Sequence, residues 1–199
     1  MTKVKLCGLR YPEDIKEANR LRPEYIGFVF AKKSRRFVTR EQAENLKKLL
    51  DSSITAVGVF VDETLETVAE LLNAGVIDAA QLHGKEDEDY IGELKKMTDK
   101  LVIKAVRVRD RSDVENAEKS SADLILFDAG AGDGKTFSWE ILDYAKRPYI
   151  LAGGLTPENA GEAVRTLHPC GVDVSSGIET DGKKDAEKMK KFVDAVRNA

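Results

Sequence analysis

The chain is poor in the residues that anchor whole classes of protein. Only two of its 199 residues are cysteines, Cys7 and Cys170, and they stand far apart, which excludes a disulfide scaffold and leaves free thiols in a reducing compartment as the expectation. Two histidines, His83 and His168, are too few for a His-rich metal centre, and no metal and no cofactor are expected. No apolar run approaches the roughly 20 residues of a membrane span. The first residues, Met1-Thr2-Lys3-Val4-Lys5, lack the apolar stretch of a secretion signal, so a cytoplasmic location with no membrane partner is expected. Positive charge is not in excess either. Lys and Arg number 32 against 35 Asp and Glu, a formal charge of −3, which gives no basis for a nucleic-acid partner. With no low-complexity stretch and no Pro/Gly/Ser linker, residues 1–199 read as one domain.

Apolar residues are plentiful, at 42%, and are arranged in a repeating order. Short runs rich in β-branched residues fall at 4–9, 25–30, 54–61, 79–83, 101–108, 123–128, 149–153 and 171–175. Most are continuous rather than alternating, as in a parallel sheet buried on both faces. Segments of helical period lie between them, at 12–21, 43–50, 65–73, 87–97, 112–119, 138–145, 157–167 and 185–198. Pro12 suits a first helical position, Thr39-Arg40-Glu41-Gln42 is a capping-box pattern, and Thr156-Pro157-Glu158 is a cap for the seventh helix. Eight strand–helix units in about 200 residues predict a single-domain (β/α)8 barrel, with a short or irregular fifth helix. A doubly wound open sheet is the rival, but it usually carries five or six strands.

In such a barrel the site is built where the strands end. Those positions hold Cys7, Arg35-Arg36, Asp62, His83, Arg107, Asp128, Gly153-Gly154 and Ser175-Ser176-Gly177. Gly153 and Gly154 read either as a tight turn or as an anion cradle whose N–H groups reach a phosphate, backed by a helix N-terminus. Ser175, Ser176 and Gly177 offer the same chemistry after the next strand, and the loops after strands seven and eight are the usual phosphate site of this fold. Asp128 is either an acceptor for loop N–H groups or a general acid, and the second role requires a raised pKa near neutrality. Cys7 is either core filler or, as a thiolate, a general base. A thiolate and a carboxylic acid on opposite walls form a pair able to isomerise a sugar without a cofactor. Arg36 is either part of a solvated basic run or a clamp for a substrate carboxylate. His83 is a core histidine or a donor at the mouth; His168 is expected in solvent.

Together these residues make the chain resemble the phosphoribosylanthranilate isomerases. The resemblance rests on Lys5-Leu6-Cys7-Gly8-Leu9, Gly27-Phe28-Val29-Phe30-Ala31 with Ser34 and Arg36, Gln81-Leu82-His83-Gly84, Gly134-Lys135-Thr136-Phe137 with Trp139, and the segments 151–159 and 171–179. It implies an Amadori rearrangement of N-(5-phosphoribosyl)anthranilate, with Cys7 as general base and Asp128 as general acid. It also implies Arg36 on the anthranilate carboxylate, the two glycine loops on the phosphate, and a monomer or homodimer. Four positions depart from the family pattern: Arg10, Arg35, Asp133 and Ser138. Two other readings compete. One is a sister aldose–ketose isomerase of histidine biosynthesis, usually served by two aspartates, against which Cys7 argues. The other is a non-catalytic phosphate-binding barrel, against which the retention of both Cys7 and Asp128 argues.

Overall fold

The β-branched runs form eight strands that alternate with helices. They are β1 (Lys3–Cys7), β2 (Tyr25–Val29), β3 (Thr55–Phe60), β4 (Ala79–Leu82), β5 (Leu101–Arg107), β6 (Leu124–Asp128), β7 (Tyr149–Ala152) and β8 (Gly171–Val174). In the computed structural model they close into a barrel in chain order, each strand parallel to the next and β8 paired back onto β1. Residues 1–128, 130 and 139–199 are described. The Asp133 and Ser138 departures, and Gly134-Lys135-Thr136-Phe137, lie outside the described residues.

Alternation along each strand sorts the side chains into two layers. Val4 and Leu6 on β1, Ile125 and Phe127 on β6, and Val172 and Val174 on β8 face outward and pack beneath the helices in one large apolar cluster. Inside the barrel, Tyr25, Val57, Ala79, Ile103, Leu126 and Ile150 form a second cluster. Above it a small third one, Cys7, Val29 and Val59, floors the mouth. Polar groups share this inner face: Lys5, Gln81 and Asp173 are all buried.

The helices are α1 (Pro12–Leu21), α2 (Arg40–Lys47), α3 (Leu65–Asn73), α4 (Glu88–Met97), α5 (Arg111–Ala117), α6 (Ala160–Leu167) and α7 (Ala186–Arg197). The capping box at Thr39 and Gln42 forms as expected, and α2 starts directly behind it. The fifth helix is short, at seven residues, but regular, because Asp110 caps it and Asp113 returns the bond. Irregularity falls one unit later. The segment expected as a sixth helix is a 3-10 turn at Trp139–Tyr144. The seventh helix also begins later than expected. Thr156-Pro157-Glu158 is a turn, and Asn159 is the residue before α6. Beyond β8 the chain makes a 3-10 turn, Ser176–Ile178, and a short antiparallel hairpin of β9 (Glu179–Thr180) and β10 (Lys183–Lys184), none of it anticipated.

Candidate active site

The strand ends enclose a cavity of about 620 Å³, the size of a small-molecule site. Its walls include Cys7, Arg36, His83, Arg107, Asp128 and Asp173, and its rim carries Gly153, Gly154, Ser175 and Ser176. Gly177 stands behind the rim. A side chain there would run into the Leu155 carbonyl oxygen, so glycine lets the β8 turn press against the β7 turn. Asp62 is not part of the wall; its Oδ1 accepts the Lys85 N–H at 2.7 Å. His168 is exposed, as expected.

Cys7 ends β1 and is 6% exposed. Burial pushes its thiol up; Lys5 beside it pulls the other way and Asp173 pushes up again, and the balance is upward. Directly below, the Lys5 Nζ donates to Asp173 Oδ1 at 2.8 Å. Asp128 ends β6 across the mouth. Its Oδ2 lies 3.2 Å from His83 Nε2, and its Oδ1 accepts the Gly130 N–H at 2.9 Å. Burial pushes this carboxyl up as well, but those bonds and the charge of Arg107 outweigh it, and it lies below the usual carboxylate range. The free site therefore holds a neutral thiol and an ionised carboxylate, the reverse of the forms that the base and acid roles need.

The Gln81 Nε2 lies 3.1 Å from His83 Nδ1. With the Gln81 amide oriented this way its N–H donates, Nδ1 is the acceptor and Nε2 is the nitrogen that donates to Asp128. His83 is thus a donor in the cavity wall rather than a core histidine. The Gln81 Oε1 is buried without a hydrogen-bond partner among the described residues.

Arg36 reaches the cavity in a fixed pose. Glu179 accepts from its Nε at 2.6 Å and its Nη2 at 2.9 Å, which leaves Nη1 as the nitrogen that Glu179 does not engage. Lys184, also buried, donates to Glu179 Oε1 at 2.9 Å and to the Ser175 carbonyl at 2.8 Å. Burial alone would raise the Glu179 carboxyl; Arg36 and Lys184 win and hold it at about 2. Two of the departures belong to this knot. Arg35 Nη2 also meets Glu179, at 2.6 Å, while Arg10 donates to the Arg35 carbonyl at 2.6 Å and the Gly182 carbonyl at 3.2 Å. Extra arginines here stitch the β1, β2 and β8 loops together.

The β7 turn is shaped by Gly153 and Gly154, whose φ angles of 88° and 68° other residues rarely adopt. Asn159 braces it, donating to the Gly154 carbonyl at 3.0 Å and accepting the Thr156 N–H at 2.8 Å. Across from it, the Ser175 hydroxyl donates to the Cys7 carbonyl at 3.1 Å, tying the β8 turn to the end of β1.

Lys5, Gln81, Asp173, Glu179, Asn159 and Lys184 had no role assigned from the sequence. The first three were within reach. Lys5 lies two residues before Cys7, Gln81 two before His83, and Asp173 two before Ser175, so strand alternation puts each pair on one face. Glu179 and Lys184 carry no such signal, because they act through a hairpin that no apolar pattern announces.

A closed (β/α)8 barrel with a thiol facing a carboxyl across its mouth, and paired glycine and serine turns after its last two strands, defines a phosphosugar isomerase. The comparisons with known proteins narrow that class. Residues 4–195 match the family N-(5'-phosphoribosyl)anthranilate (PRA) isomerase, and the chain belongs to it. It is 47% identical to the N-(5'-phosphoribosyl)anthranilate isomerase of Thermoanaerobacter sp. (strain X514), over 99% of this chain and 98% of that protein. Among solved structures it is similar to a phosphoribosyl anthranilate isomerase in complex with reduced 1-(o-carboxyphenylamino)-1-deoxyribulose 5-phosphate. That likeness has a TM-score of 0.87 at 34% identity, with 100% of both chains covered. It is equally similar to monomers generated from the dimeric phosphoribosylanthranilate isomerase of Thermotoga maritima, with a TM-score of 0.88 at 35% identity and 100% of both chains covered.

Proposed function

We propose that this chain, an isomerase of tryptophan biosynthesis by its family, carries out the Amadori rearrangement with Asp128 as general acid and Cys7 as general base. Asp128 protonates the ribose ring oxygen of N-(5-phosphoribosyl)anthranilate, and the C1–O bond breaks to give an open-chain Schiff base. Cys7 then removes the C2 proton, and the resulting enolamine becomes the 1-amino-1-deoxyribulose. One proton leaves Asp128 and one arrives at Cys7, so no cofactor is required. Arg36, held by Glu179 at the cavity wall, binds the anthranilate carboxylate. The turns at Gly153-Gly154 and Ser175-Ser176 take the phosphate, with Gly177 setting the distance between them. His83 acts on the substrate side of Asp128, handing it a hydrogen bond. The single observation that carries this reading is the placement of Cys7 and Asp128 on opposite walls of one cavity.

The working protein is a cytoplasmic monomer or homodimer with a phosphorylated small molecule as its partner. No helix among the described residues is long and apolar enough to cross a membrane. Loss of substrate fluorescence tests the assignment. Cys7→Ser and Asp128→Asn should each lower kcat by orders of magnitude while phosphate-ligand binding stays nearly intact, and near-normal turnover in either variant removes that residue from its role.

A further inference from the structure

Lys5 is a lysine in the middle of a barrel. It is 1% exposed, and it faces Asp173 in direct strand register between β1 and β8. Taking two charges out of water costs several kcal/mol per ion, and well-packed apolar residues in the same space usually serve stability as well or better. Packing therefore gives no reason for this pair. Its location gives one. Lys5 and Cys7 are two apart on one strand and point to the same side, and the charge of the ammonium favours the thiolate. Asp173 and Cys7 line the cavity, with Lys5 beneath them.

We propose that Lys5 is a positioning residue for the proton-abstraction step, serving as counter-ion to the Cys7 thiolate, and that Asp173 holds its ammonium in place. This rests on the reading of Cys7 as general base. In the resting site the thiol is protonated and the ammonium answers Asp173 alone. In the working form a proton has left the sulfur and Asp128 has gained one, so the proton count of the enzyme is unchanged. The Lys5 cation then lies between two anions. Among the described residues, the charged groups acting most strongly on Cys7 are Lys5 on its own strand, Asp173 from β8 and Lys184 from β10, and Arg36 lines the same cavity. Lys184 is already engaged by Glu179 and the Ser175 carbonyl, and β2 presents Gly27 opposite the sulfur. Of the two lysines, Lys5 is the one that shares a strand and a face with Cys7. Asp173 has a second effect, because burial favours a neutral amine at Lys5, and the neighbouring carboxylate, followed by Cys7, outweighs it.

The test is a titration of Cys7 in a Cys170→Ala background, following alkylation by iodoacetamide against pH. Lys5→Met should raise the pH of half-maximal alkylation by about one unit, so that the thiolate fraction at a fixed pH falls about tenfold. It should lower kcat with KM nearly unchanged. Lys5→Arg, which keeps the charge, should restore most of both. If Lys5→Met does not fold, Lys5→Gln keeps a hydrogen bond to Asp173 while removing the charge, and the same upward shift is expected. A folded Lys5→Met or Lys5→Gln protein whose Cys7 titrates at the wild-type pH overturns the proposal. Full activity in Cys7→Ser would sink the base assignment instead, and it would leave the Lys5 effect on the titration in place.

Discussion

The two walls of the mouth are tuned in opposite directions. On the β1 wall, a thiol sits almost without exposure above a buried ion pair, and burial makes it hard to ionise. On the β6 wall, a partly exposed carboxyl takes a bond from the His83 ring, which Gln81 holds from its other side, and it becomes hard to protonate. Neither group is in its working form in the free protein. On the proposed roles, the pair has to be switched by its substrate. An incoming phosphate and carboxylate add negative charge and disperse water, which favours protonation of Asp128. Ring opening then leaves positive charge beside C2, which makes the C2 proton more acidic toward the thiolate that formed when Asp128 gained its proton. In that sequence the acid acts first and the base second.

The comparison breaks most sharply in a double variant. If the walls work in one sequence, Cys7→Ser combined with Asp128→Asn should lose little more kcat than the worse single, since groups acting as a unit are strongly non-additive. Losses that multiply would mean two independent contributions. Next comes the pH profile of kcat/KM. Its acid limb should lie below the ordinary carboxylate range and its alkaline limb above the ordinary thiol range, with a broad plateau between; a narrow bell near neutrality contradicts the assigned resting states. Arg36→Ala should raise KM by up to about 2–3 kcal/mol of lost charged hydrogen bonding with little change in kcat, and an unmoved KM dismisses the carboxylate clamp. His83→Asn sharpens the comparison from one side only. Without its bond the Asp128 carboxyl rises, and the acid limb should move up by about one unit while the alkaline limb stays. The smallest effect is on stability. Glu179 is held at about 2 against a usual 4.5, so its contribution is complete above about 4.5 and lost as pH falls toward about 2. Glu179→Gln should flatten that part of the acid unfolding curve and leave neutral activity less affected than Arg36→Ala does.

The barrel was legible because continuous apolar runs, repeated eight times, leave few other ways to bury both faces of a sheet. Helix existence followed from period, whereas helix limits did not. Thr156-Pro157-Glu158 has the composition of a helix start, but Asn159 spends its side chain on the Gly154 carbonyl and the Thr156 N–H, which fixes a turn there and delays α6. The run 138–145 has helical period, and it forms a 3-10 turn where described, showing how little period says about a short segment. Of the site, the strand-end residues were readable once a barrel was accepted. What lay one layer deeper, Lys5 and Asp173, followed from the same alternation yet carried no motif of its own. The Arg36 clamp was visible as a basic run, but the acid that aims it was not, because Glu179 comes from a hairpin 143 residues away in sequence.

Lys5 and Asp173 meet where the first strand of the cylinder joins the last. The two edges of that seam come from opposite ends of the polypeptide, so closing it in register brings together the most distant parts of the sequence. A chain that misregisters there moves Asp173 away from the Lys5 ammonium it holds. If Lys5 serves Cys7 as proposed, turnover reports that the ring has been sealed in the correct alignment, and a preparation with sound helices but a slipped joint should look folded by circular dichroism and be inert.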